Sequence, residues 1–149
     1  MRTLYLAYGS NLSVKQMALR CPDAEIVGKA IIPDWRLVFK LHADIIPEKG
    51  SYVPVLVWSI SDKDEAALDR YEGFPRYYVK KDFDVTMTDL EGNNPKAVTA
   101  MAYIMTEGHF LREPDLFYYM VLQDGYEAFG FDMTLLRKAL QEAVYDGIS

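Results

Sequence analysis

Cysteine is nearly absent from this 149-residue chain: Cys21 is alone, so no disulfide can form within it. A lone thiol suits a reducing compartment. Histidine is almost as scarce. His42 and His109 stand apart, with neither H-E-x-x-H nor paired Cys/His spacing, so no metal is expected. Basic residues are in deficit, 16 Lys and Arg against 22 Asp and Glu, for a net charge of −6. No basic run breaks that balance, which argues against nucleic acid and against an anionic membrane as partners. No apolar stretch approaches the ~20 residues that span a bilayer. The N-terminal apolar run is too short for a signal h-region and is broken by Gly9-Ser10-Asn11. Together these absences lead to the expectation of a cytoplasmic protein. The G-x-G-x-x-G and Walker A patterns are also missing, so no nucleotide is expected, and no G-x-S-x-G elbow marks Ser10 as a nucleophile.

Half of the residues are hydrophobic and 26% are charged, an ordinary globular composition. The length predicts one domain over 1–149, burying ~70% of its unfolded surface. Residues 4–8 read as a buried strand that Gly9 ends. Ser13 and Gln16 have capping-box spacing and open a short helix to residue 19, which Cys21-Pro22-Asp23 closes. Strands are expected over 24–32 and 35–41 with Pro33-Asp34 as the turn, followed by a loop over 43–51 and a strand over 52–60. Ser61 or Asp62 caps a helix to about residue 71, with Asp64 and Glu65 in its first turn and Gly73 just past its end. Strands over 77–87 and 96–105 are joined by a hairpin loop at 89–94. Pro114 suits the first turn of a helix over 115–123 that Gly125 ends. Asp132 opens a last helix with Leu135, Leu136, Ala139, Leu140, Ala143 and Val144 on one face. Five or six strands with inserted and appended helices make an α+β domain.

Two segments can carry chemistry. Glu72 sits at a helix end among Tyr71, Phe74, Pro75, Tyr77 and Tyr78. Helix C-terminal carbonyls disfavour an anion, and aromatic packing would desolvate it; both raise the pKa toward the ~6–7 useful for proton transfer. Arg70 and Arg76 oppose this if they come close. The bland alternative is an exposed helical Glu before a Gly cap. The second segment, Tyr8-Gly9-Ser10-Asn11, joins a strand to a helix start, where main-chain amides can face an anion. Its bland alternative is a simple Gly-Ser-Asn turn. Eleven tyrosines are more than chance supplies; Tyr78, Tyr103, Tyr118 and Tyr119 either line a polar pocket or pack. Cys21, beside Pro22, reads as a packed thiol rather than a nucleophile.

The ordered set of these segments resembles the gamma-glutamylcyclotransferase-like family. Ala7-Tyr8-Gly9-Ser10-Asn11-Leu12 looks like its signature loop, and Leu68-Asp69-Arg70-Tyr71-Glu72-Gly73 with Tyr78 looks like its catalytic-acid segment. Ala102-Tyr103-Ile104-Met105 resembles a later strand, and Pro114, Tyr118, Gly125 and Gly130 resemble its C-terminal pattern. The resemblance implies a small mixed β-barrel with flanking helices. It also implies release of 5-oxoproline from a gamma-glutamyl amino acid or peptide, without cofactor, in glutathione-type metabolism. Glu72 would be the acid/base. Tyr5, Leu6, Ala7, Tyr8, Gly9 and Ser10, together with Tyr118, would contact a small-molecule gamma-glutamyl substrate, and Asn11 would support the loop. The family includes dimers, so a homodimer is open, although no isolated apolar stripe marks an interface. Two alternatives stand beside this reading: removal of a gamma-glutamyl group from a non-amino-acid amine, and a non-catalytic binding module. Two features depart from the family pattern and would reshape the pocket: Phe74-Pro75-Arg76 after the Glu, and Tyr126 where a small residue is common.

Overall fold

The computed structural model, which describes residues 1–148, is built on two antiparallel hairpins joined by the N-terminal strand. β2 (Glu25–Lys40) pairs with β3 (His42–Ser61), and β4 (Tyr78–Met87) pairs with β5 (Lys96–Met105). β1 (Arg2–Ala7) lies between them, antiparallel to β3 and parallel to β5, giving the order β2-β3-β1-β5-β4. A central strand covered on both faces should be apolar throughout, and Leu6 and Ala7 are fully buried.

The first hairpin is longer than its sequence suggests. Pro33-Asp34 is a bulge rather than a turn: the register slips between Pro33 and Trp35, and Asp34 adopts φ 63°. Its carboxylate accepts the Gly50 N–H at 2.9 Å. Here the ladder leaves out Asp34 on β2 and residues 48–51 on β3, and such an interruption accommodates a proline and a positive φ inside a strand. The reversal comes at Leu41, with φ 70°; of the residues expected as loop, 43–47 pair with β2, whereas 48–51 lie within β3 outside the ladder.

The sheet curls until its two edges meet. Lys29 and Thr88 exchange N–H···O=C bonds of 3.0 and 2.9 Å. Trp35 packs edge-on against Phe83, with centroids 5.1 Å apart. Gly28 permits this approach, since a Cβ there would stand 2.2 Å from the Thr88 carbonyl oxygen. A single bridge is not a ladder, so the sheet is open and "barrel" describes it only loosely. The α+β class holds.

Four helices flank this sheet. α1 (Val14–Arg20) is capped by Ser13, whose hydroxyl accepts the Gln16 N–H at 3.2 Å. α2 (Asp62–Glu72) carries a full capping box between Ser61 and Asp64 and ends on Gly73 at φ 68°. In α3 (Leu116–Phe129) the cap is Asp115, and Pro114 lies outside the helix. α3 does not stop at Gly125 but runs on to a Gly130 cap. A Cβ at 125 would lie 2.6 Å from the Leu12 Cβ, so this glycine lets α3 press onto the turn after β1. α4 (Met133–Ile148) covers β2 and buries Leu136, Ala139 and Ala143. Among the described residues, no helix is long and apolar enough to cross a membrane.

Candidate active site

β1 runs directly into a tight 3-10 turn at Ser10–Leu12. The Leu12 N–H reaches the Gly9 carbonyl and the Ser13 N–H reaches the Ser10 carbonyl, both at 3.0 Å. The first amides of such a turn are not used within it. The Trp58 indole N–H donates to the Asn11 carbonyl at 3.1 Å and anchors the turn from β3. Across from it, α2 ends at Glu72. Turn and carboxyl face one cavity of about 180 Å³. That is below the ~300 Å³ at which drug-sized pockets begin, and it suits a group the size of one amino acid.

Glu72 is half-buried. Burial raises its pKa from 4.5 to about 7, and the Arg20 guanidinium opposes the rise. The aromatic surroundings therefore act in the direction expected from the sequence. The opposing cation comes from α1, however, and not from neighbouring Arg70 or Arg76. A carboxyl with this proton affinity can accept and return a proton near neutral pH.

Tyrosines make up most of the wall, and their hydroxyls differ in what they can still offer. Tyr8 donates to the Tyr103 carbonyl at 2.5 Å, Tyr78 to the Ala43 carbonyl at 2.7 Å, and Tyr103 to Asp69 at 2.6 Å. Each has spent its only hydrogen. Tyr5 and Tyr118 instead accept, from the Asn11 amide at 2.9 Å and the Ala43 N–H at 3.0 Å. Their hydrogens are left for another partner. Tyr118 also lies against the turn, for a Cβ on Gly9 would be 3.4 Å from its hydroxyl. Burial pushes both phenols up, so they stay protonated.

Of the residues expected to contact substrate, Tyr5, Tyr8, Gly9, Ser10, Asn11 and Tyr118 line this cavity together with Glu72. Leu6 and Ala7 are not among its lining residues and lie in the core. Tyr78 and Tyr103 line it as well, whereas Tyr119 packs on Phe39, with centroids 5.9 Å apart. Phe74, Pro75 and Tyr126 are not on its wall: the first two are exposed and Tyr126 is fully buried. Cys21 is a packed thiol, pushed up to about 11 by burial, with Sγ 3.6 Å from the Asp64 carbonyl. His42 is a wall residue that sequence reasoning missed. Its Nδ1 lies 2.9 Å from the Tyr77 hydroxyl, and burial lowers its pKa against the pull of Asp115. The one available signal was its place at the hairpin tip, obscured by reading the following residues as loop. Among the described residues, no group of three or more His, Cys, Asp or Glu side chains could hold a metal ion.

Residues 5–122 match the family described as gamma-glutamyl cyclotransferase, AIG2-like. A gamma-glutamylcyclotransferase of Bos taurus is 33% identical over 116 residues, covering 69% of this chain. The match spans only 59% of that relative's length. A solved structure titled gamma-glutamyl cyclotransferase superposes with a TM-score of 0.77 at 27% identity, covering 93% of this chain and 86% of the other. YkqA of Bacillus subtilis shares the fold, with a TM-score of 0.74 at 18% identity over 95% of this chain and 54% of its own.

Proposed function

The chain belongs to the gamma-glutamyl cyclotransferase, AIG2-like family, and on that premise we propose that it releases 5-oxoproline from a gamma-glutamyl amino acid or peptide. The substrate's own α-amine attacks its γ-carbonyl carbon, a C–N bond closes the five-membered lactam, and the amide bond to the leaving amine breaks. Nucleophile and electrophile share one molecule, so the site has to fold the chain and manage protons. Ionised Glu72 takes a proton from the attacking amine and gives it to the departing one, a transfer worth ~10²–10⁴ in rate. Tyr5 and Tyr118 offer hydrogens to substrate oxygens, and the Ser10 and Asn11 amides, the first of the turn, offer further donors. We take the chain as a single domain that works in the cytoplasm, alone or as a homodimer, with no cofactor and no nucleic-acid or membrane partner.

One observation carries the reading: a carboxyl with a pKa of about 7 shares a small cavity with the glycine turn. A second reading, removal of the gamma-glutamyl group from a non-amino-acid amine, is favoured by a different feature. Among the described residues, neither Lys nor Arg lines the cavity to meet a leaving group's carboxylate. Incubation with a panel of gamma-glutamyl dipeptides and gamma-glutamyl amines, followed by 5-oxoproline, separates the two. Release that Glu72→Gln abolishes is expected. Release by a folded Glu72→Gln variant at the wild-type rate would remove Glu72 from the mechanism.

A further inference from the structure

A guanidinium group only donates hydrogen bonds. That fact orients a chain of groups beside the cavity. Arg20, the last residue of α1, donates to Asn11 Oδ1 and, at 2.8 Å, to Gln16 Oε1; it also lies 3.6 Å from the centroid of the Tyr71 ring. Since the Asn11 amide must turn its oxygen toward Arg20, its NH₂ points the other way. That NH₂ donates to the Tyr5 hydroxyl at 2.9 Å. A phenol oxygen that accepts on one side keeps its single hydrogen for the other. Tyr5 lines the cavity, and among the described residues no acceptor takes that hydrogen.

We infer that Arg20 and Asn11 are positioning residues that set the hydrogen-bond polarity of Tyr5, committing its hydroxyl to donate to an oxygen of the bound gamma-glutamyl group. The inference rests on the proposed function of this cavity. It also explains why the positive charge stands behind the wall. A cation inside so small a cavity would hold Glu72 ionised and spoil it as a proton carrier. A relay of donors passes polarity inward while leaving the charge outside, and each bond in it strengthens the next.

Asn11→Asp tests this directly. The variant keeps the shape and the bond from Arg20, but a carboxylate only accepts. Tyr5 must then donate to residue 11, and its hydrogen leaves the cavity. At a pH where the rate has levelled off, kcat is expected to fall by roughly 10²-fold, the scale of one lost oxyanion donor. Tyr5→Phe should cost the same, and the double variant no more than either. Near wild-type kcat in Asn11→Asp, or losses that multiply in the double variant, would overturn the relay. A second readout does not need turnover. The Tyr5 ring ¹³Cζ resonance, assigned by its loss in Tyr5→Phe, should move from an accepting to a donating phenol in Asn11→Asp. It should move the same way in Arg20→Met, which frees the amide to rotate. An unmoved resonance would overturn the relay; a moved resonance in a protein that releases no 5-oxoproline would leave the relay standing and remove the proposed reaction.

Discussion

Replacing Glu72 by Gln should make the protein inactive and, at alkaline pH, more stable. In the folded chain the carboxyl titrates at about 7, against 4.5 when unperturbed. Below pH 4.5 it is protonated both folded and unfolded, and it contributes no difference from Gln. Between 4.5 and 7 the unfolded chain releases the proton while the folded chain keeps it, so stability falls as pH rises. Above 7 the loss is complete. At ~1.4 kcal/mol per pH unit the full effect would be about 3 kcal/mol. Glu72 is only half-buried, and solvent screening reduces this to ~1–2 kcal/mol. For a chain of this size that is ~3–6 °C in Tm. Thermal unfolding of both proteins at pH 4 and pH 8 checks it: coincident curves at pH 4 and a more stable variant at pH 8 are expected. Equal differences at the two pH values, or none at pH 8, would refute the desolvation argument.

Two further outcomes follow from neighbouring contacts. Among the described residues, Arg20 is the charged group that opposes the rise at Glu72. Arg20→Met should therefore move the acid limb of the kcat/KM profile upward, while Arg20→Lys, which keeps the charge and likewise only donates, leaves that limb in place. Gly28→Ala puts a methyl group 2.2 Å from the Thr88 carbonyl oxygen, where the two sheet edges meet. Backbone there cannot yield cheaply, and a loss of ~1–3 kcal/mol in chemical denaturation is expected.

Features decided by adjacent residues were legible in the sequence; those decided by distant partners were not. The cap and the Gly73 terminus of α2 depend on side chains within one turn; spacing narrows the cap to Ser61 or Asp62, of which Ser61 takes the role, and places Gly73 correctly. The aromatic neighbours of Glu72 made its desolvation one of two readings, beside an exposed helical Glu, and it is the fold that decides between them. Pro33-Asp34 looks like a turn because its local chemistry is that of a turn; only the paired β3 strand, whose Gly50 bonds the Asp34 carboxylate, holds it in the sheet as a bulge. Gly125 looks like a helix end, and only Leu12, far away in the chain, explains a glycine inside α3. Arg20 was invisible as the counter-charge because nothing local brings α1 beside the end of α2. The direction of each tyrosine hydroxyl was equally hidden, since its partner lies on another strand or helix.

The account depends most on the proton affinity of one carboxyl. Titration of the Glu72 side-chain ¹³C resonance, assigned by its loss in Glu72→Gln, measures it directly. A midpoint near 7 is the predicted result. A midpoint near 4.5 would mean a carboxyl that ionises as freely as in the unfolded chain, and it would contradict the proposal that Glu72 carries the proton between the two amines.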